Sequence, residues 1–178
     1  MFMSSQAISE RPESNWFALR VRSRHEKRVA ELLTRTGVDC FLPLQHVRRR
    51  WSQRWTELDL PLFPGYLFAC FERERWTRVV NVPGVVDAVR FGKVLAPVDI
   101  EELAALRIVQ GARCELEPCP YFPTGQRIQI AGGPLAGLSG TVTEDQGRSQ
   151  LVLSVTLLQR SVRVKIERDS LELVRSAA

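Results

Sequence analysis

The stretch Phe63-Pro64-Gly65-Tyr66-Leu67-Phe68-Ala69-Cys70-Phe71 constrains the fold more than any other part of the chain. Pro64-Gly65 marks a turn, and the residues after it read as a strand that is apolar on both faces. Alternation sends Tyr66, Phe68 and Cys70 one way and Leu67, Ala69 and Phe71 the other. Each apolar face of a sheet needs a covering layer. The roughly 95 residues around this strand offer few helices for that work, so one face is expected to await a partner.

The neighbouring segments describe an α+β unit. Trp16 to Val21 reads as a strand with Phe17, Leu19 and Val21 on one face. Ser23-Arg24-His25-Glu26 has the form of a capping box opening a helix that runs to about Thr36, with Gly37 suited to the residue after its end. Val29, Leu32, Leu33 and Thr36 form its buried stripe, which leaves Arg24, Lys27, Arg28, Glu31 and Arg35 as a basic ridge. Cys40 to Val47 and Trp55 to Leu62 read as strands joined by a loop over residues 48–54. A short helix is expected near Glu74 to Val80 and a strand over Val85 to Phe91. Asp99-x-x-Glu102 then opens a last helix, closed by Gly111.

From Gly111 to Pro123 the prolines and glutamates read as a linker, unable to sustain a helix or a central strand. Beyond it lie six of the eleven glycines, with period-two apolar runs at Ile128/Ile130, Leu151/Leu153/Val155/Leu157 and Val162/Val164/Ile166. Short alternating strands between glycine turns argue for a small closed barrel. The expected organisation is a tail over 1–15, an α+β domain over 16–110, a linker over 111–123 and a barrel over 124–175.

The net charge of +5 is concentrated: Arg20 to Arg54 holds ten basic residues against three acidic ones, a local +7. Such a cluster on a mildly acidic background suggests a polyanion partner, although a solvated charged face has the same composition. The four cysteines are too scattered for a disulfide framework, and Cys114-x4-Cys119 lacks the second ligand pair of a zinc site. His25 and His46 lie in different elements, and no nucleophile elbow, phosphate loop or carboxylate cluster appears. No catalytic residue, cofactor or metal is therefore expected. Residues 1–15 lack the apolar core of a signal peptide, and no apolar run approaches a membrane span; a cytoplasmic monomer is expected.

Gly125-Gln126-Arg127-Ile128-Gln129-Ile130-Ala131-Gly132-Gly133-Pro134-Leu135-Ala136-Gly137-Leu138-Ser139-Gly140-Thr141-Val142 resembles a KOW motif, which implies an SH3-like barrel. Together with Trp16-Phe17, the Phe63 to Phe68 segment, Trp76 and Val82-Pro83-Gly84-Val85, it resembles the NusG family of transcription elongation factors over about 160 residues. Val89-Arg90-Phe91-Gly92 and Arg148 to Leu153 resemble a specialised paralogue of the RfaH or UpxY kind, while Gly65 follows the housekeeping pattern. Leu158-Gln159-Arg160 stands where the housekeeping factor usually has an aromatic-Gly-Arg loop.

The resemblance implies a factor that docks on the clamp helices of the largest catalytic RNA polymerase subunit through Tyr66 and Phe68, with Arg20 flanking. Pattern alone favours both rings as core, and the resemblance reverses that preference. Replacing both by alanine is expected to leave the domain folded but unable to hold polymerase. Trp76 to Asn81 corresponds to the region set against the opposite side of the cleft, or covers the short helix. Holding the clamp closed would suppress pausing and termination without any bond being broken. The ridge of Arg24, Lys27, Arg28 and Arg35, with Arg22 and His25 beside it, is the expected contact to non-template DNA. Arg48, Arg49, Arg50 and Arg54, interleaved with Trp51 and Trp55, are a second candidate for nucleic acid, or a solvated hairpin tip. Leu157, Leu158 and Arg160 are expected to meet a second partner, for which the small ribosomal subunit is the family precedent; the altered loop counts against termination factor Rho. A ribosome-associated or RNA-binding KOW protein is the competing reading.

Overall fold

The computed structural model describes residues 15–51, 54–112, 114–121, 126–130, 135–145, 148–164 and 173–175. The expected tail lies outside these residues up to 14, as do Gly125, Gly132, Gly133, Gly147 and Ile166. In chain order the strands and helices of the first part are β1 (Asn15–Val21), α1 (Glu26–Arg35), β2 (Asp39–Phe41), β3 (Leu44–Trp51), β4 (Arg54–Pro61), β5 (Tyr66–Phe71), α2 (Trp76–Val80), β6 (Val85–Ala88), β7 (Arg90–Phe91), β8 (Val94–Leu95) and α3 (Ile100–Gly111). Then follow β9 (Leu116–Pro120), β10 (Gln126–Ile130), β11 (Ser139–Asp145), β12 (Arg148–Val155), β13 (Arg160–Val164) and β14 (Leu173–Arg175).

An antiparallel sheet in the order β2-β5-β1-β6 forms the centre of the first part. On one face Leu67, Ala69 and Phe71 of β5 join Phe17, Leu19 and Val21 of β1 and are covered by Val29 and Leu33 of α1 and Val79 of α2. Gly84 lets α1 sit this close: a Cβ there would stand 2.7 Å from Val29 Cγ2, and its φ of +101° already disfavours side chains. On the other face Trp16, Ala18 and Phe68 pack with Leu62, Phe63 and the α3 residues Leu103, Leu106 and Val109. The face expected to await a partner is thus covered within the chain.

That second cluster does not stop at α3. It runs on into Ile130, Leu151, Leu153, Val155, Val162 and Val164 of the second sheet and Leu138 just before β11. The second sheet is six-stranded, in the order β14-β10-β11-β12-β13-β9, with every pair antiparallel. Its period-two residues Leu151, Leu153 and Val155 point inward as their alternation requires. Among the described residues its hydrogen bonding runs without a break from β14 to β9, the short antiparallel strands expected of the small barrel.

Three local expectations are corrected. The linker is in part β9, paired among the described residues only with β13. Pro118 and Pro120 are tolerated there because an edge strand need not donate on both sides. The expected loop over 48–54 is mostly hairpin: β3 runs to Trp51, β4 starts at Arg54, and only 52–53 lie between them, outside the described residues. The strand expected over Val85 to Phe91 breaks at Val89, whose N–H turns to Ala18 O at 2.9 Å, and β7 then pairs with β8.

Candidate functional site

The turn between β1 and α1 sets out the basic ridge. Val21 N–H bonds Gly65 O at 2.8 Å and Arg22 N–H bonds Gly84 O at 2.9 Å, which pins the turn to two glycine loops. Arg24 takes a left-handed φ of +66°, a conformation that costs an L-residue about 1 kcal/mol. His25 occupies the N-cap, and its ring Nδ1–H donates to Ser23 O at 3.1 Å. The expected capping box does not form. Glu26 is buried at 3% exposure, and its Oε1 accepts from Gly65 N–H at 2.8 Å, drawn away by a tertiary donor. Arg22, Arg24, His25, Lys27, Arg28 and Arg35 are all exposed. Thr36, read as part of the buried stripe, is exposed at the helix end, where its hydroxyl donates to Leu33 O at 2.7 Å.

The two aromatic candidates part company. Phe68 is 0% exposed, with the Phe41 and Phe63 ring centroids each 6.2 Å away, so it is a core residue and no surface contact in this arrangement. Tyr66, two residues earlier and on the same face, lies half-buried at the rim opposite exposed Arg20 in the β1–β5 register. The Arg160 guanidinium lies over its ring, 5.5 Å from the centroid. Nearby, Arg107 of α3 lies over both Trp16 and Phe41, at 4.7 and 5.0 Å, and burial pulls its pKa below the ordinary arginine value. Trp76 is half-buried, stacked on Phe71 at 6.3 Å and roofed by Arg90 at 4.9 Å.

The β3–β4 hairpin divides its arginines. Arg50 faces Trp55 and Arg48 faces Glu57 in the register, so alternation sets Arg48, Arg50 and Trp55 on one side and Arg49 and Arg54 on the other. Trp55 is 57% exposed and carries the Arg48 guanidinium 4.8 Å from its ring, a cation beside an open aromatic surface. His46 and Asp59 pair lower on the same side. The four arginines therefore do not make one patch.

Leu157 and Leu158, expected to meet a second partner, are half-buried against the shared apolar cluster in a 3-10 turn over Thr156–Leu158. Gln159 follows at φ +52°, its amide donating to Thr156 O at 2.8 Å, and this turn projects Arg160. Glu102, read as a capping partner of Asp99, reaches Thr156 instead, while Asp99 alone caps α3 through Glu101 N–H at 2.8 Å. No local pattern signals Arg107 or the diverted glutamates, because each acts on residues remote in the chain. Among the described residues no group of three or more potential metal ligands occurs, and no helix is long and apolar enough to cross a membrane.

The family model described as "Transcription termination factor nusG" matches residues 14–107, over half the chain. The chain belongs to the NusG family. It is 27% identical to the transcription termination/antitermination protein NusG of Vibrio cholerae, over 93% of this chain and 98% of that one. It is 29% identical to the Thermus thermophilus NusG over 60% of this chain and 64% of that one. A solved structure described as "Domain interaction in Thermotoga maritima NusG" matches with a TM-score of 0.51 at 22% identity, covering 86% of this chain and 94% of that one. At that identity the structural likeness speaks for the NusG fold alone.

Proposed function

We propose that this NusG-family protein is a transcription elongation and antitermination factor of the specialised, RfaH-like kind. It binds the clamp helices of the largest catalytic RNA polymerase subunit and the non-template DNA strand, and it suppresses pausing and termination. Its relatives carry the name of transcription termination/antitermination proteins over nearly their whole length. One juxtaposition supports the two contacts: β1 ends with Arg20 beside Tyr66 and turns at once into the exposed Arg22, Arg24, His25 and Lys27. A rim of ring and guanidinium suits a protein interface, and the adjoining cations suit a phosphate backbone. One domain touching both would favour the clamp-closed state by its differential affinity for it.

Phe68 supports this face from beneath rather than touching the polymerase. Trp76, stacked on Phe71, offers only its outer edge to the opposite side of the cleft. Arg48 with Trp55 is a second contact for single-stranded or upstream DNA. Leu157, Leu158 and Arg160 are the surface for a second protein partner, the small ribosomal subunit by family precedent.

Single-round transcription through a pause-rich template and an intrinsic terminator tests the reading. Faster elongation or read-through with wild type, lost with Tyr66→Ala, is the expected result. No effect on any template, with co-sedimentation on ribosomes instead, would favour an RNA- or ribosome-binding protein.

A further inference from the structure

Trp55 is 57% exposed, although an indole is among the largest apolar groups a chain can bury. It stands on a ribbon whose strands, β3 and β4, pair only with each other among the described residues. Its surroundings, Arg48 to Arg50 and Arg54 to Asp59, are exposed throughout. In the register His46 faces Asp59, Arg48 faces Glu57 and Arg50 faces Trp55. Two of the three basic residues on this side thus stand opposite a carboxylate, and the outermost stands opposite the ring. The Arg48 guanidinium lies over that ring, 4.8 Å from its centroid. A planar cation on one face holds the indole and leaves the rest of its π surface to solvent.

We infer that Trp55 is a stacking site for one unpaired nucleobase, with Arg50 placed for the phosphate beside it. The inference rests on the DNA contact proposed above and names what that contact selects, which is single strand over duplex. An open ring flanked by cations matches a ligand that brings ring faces and negative charge together. A single strand offers both. A duplex offers this site its phosphates, because its bases already stack on one another. An acidic peptide offers charge without ring faces. Arg48, indole and base then form a three-layer stack in which the guanidinium sets the orientation of the ring.

The test uses the full chain, as wild type, Trp55→Phe, Trp55→Ala and Arg50→Gln. Because both side chains are exposed, circular dichroism should show all four forms folded alike. The probes are end-labelled deoxyadenylate and riboadenylate strands of about twelve nucleotides, a fully abasic strand of the same length, and the DNA duplex. Fluorescence anisotropy gives each affinity. Wild type should bind the deoxyadenylate strand about ten-fold more tightly than the abasic one, which keeps the phosphates and lacks the rings. Trp55→Ala should lose that factor, and Trp55→Phe should keep most of it. Arg50→Gln should weaken both strands alike. Wild type and Trp55→Ala should bind the duplex equally. The riboadenylate strand should behave as the deoxyadenylate one, because a ring stack does not read the 2′-hydroxyl.

A base-dependent factor that survives in Trp55→Ala, or a duplex affinity that falls with it, overturns the stacking site and leaves the DNA contact standing. A factor seen with only one of the two sugars overturns it equally, since the sugar and not the base would then be read. Failure of every form to bind any strand or duplex sinks the DNA contact itself, and the stacking site with it.

Discussion

Glu26 at the start of α1 and Gly65 at the start of the β5 turn are joined by a hydrogen bond of 2.8 Å, carboxylate oxygen to backbone N–H. Gly65 holds φ at +83°, and its carbonyl in turn receives Val21 N–H. This one buried carboxylate therefore links the basic ridge, the end of β1 and the Tyr66 strand. The relative placement of the two proposed contact faces depends on it.

Glu26→Ala should destabilise the fold by about 2 kcal/mol, because it leaves a partly buried N–H without its charged acceptor. Glu26→Gln keeps an acceptor and should lose about half as much. Denaturant midpoints for the two variants, compared at unchanged slope, check this; equal losses would mean that a neutral amide acceptor recovers nothing and that the carboxylate charge carries the whole effect.

Tyr66 and Phe68 should separate cleanly when mutated one at a time. Phe68→Ala removes a fully buried ring and should cost about 3–5 kcal/mol of stability. Tyr66→Ala, at the rim, should leave the melting temperature within a few degrees of wild type and weaken polymerase binding. The double substitution, expected from sequence to leave the domain folded, should instead carry the whole cost of the Phe68 cavity. Thermal melts beside polymerase pull-downs decide the matter.

Burial pushes the Cys40 thiol up to about 12 from its ordinary 9.0. For an acid whose pKa is raised by folding, the unfolded chain loses its proton first. Stability is then fully present below about pH 9 and falls as pH rises toward 12, by about 1.4 kcal/mol per unit from this group. Urea unfolding between pH 8 and pH 10.5 should show this slope in wild type and a shallower one in Cys40→Ala. Identical slopes would contradict it.

DNA binding through the ridge should weaken steeply with salt, with no sequence preference from the phosphate contacts. Replacing Lys27 and Arg28 by glutamine should make the plot of log affinity against log salt shallower by about 0.7 for each single-strand phosphate that is no longer neutralised. The same change in Arg49 and Arg54, on the side of the hairpin away from Trp55, should have the smaller effect. A slope unaffected by the α1 substitutions would remove the ridge from the interface.

Local chemistry alone determined a good deal of this protein. Alternation placed Leu67, Ala69 and Phe71 against Tyr66, Phe68 and Cys70, helical spacing placed Val29 and Leu33 inward with the arginines outward, and Asp99 and Gly37 marked helix ends, because each of these effects acts within a few residues. The motifs that carry the NusG resemblance are equally local. What the tertiary structure decided is where long-range partners met. Glu26 sits three residues after Ser23, the expected cap, and Glu102 three after Asp99, yet each turned to a donor far along the chain, Gly65 N–H and Thr156. Leu116 to Pro120 became a strand only because β13 offered it an edge. Phe68 and Tyr66 share a face, but Phe41 and Phe63, from other segments, pack against Phe68, which is fully buried, while Tyr66 stays at the rim. Periodicity says which side chains share a face; only the packing of distant segments says what covers it.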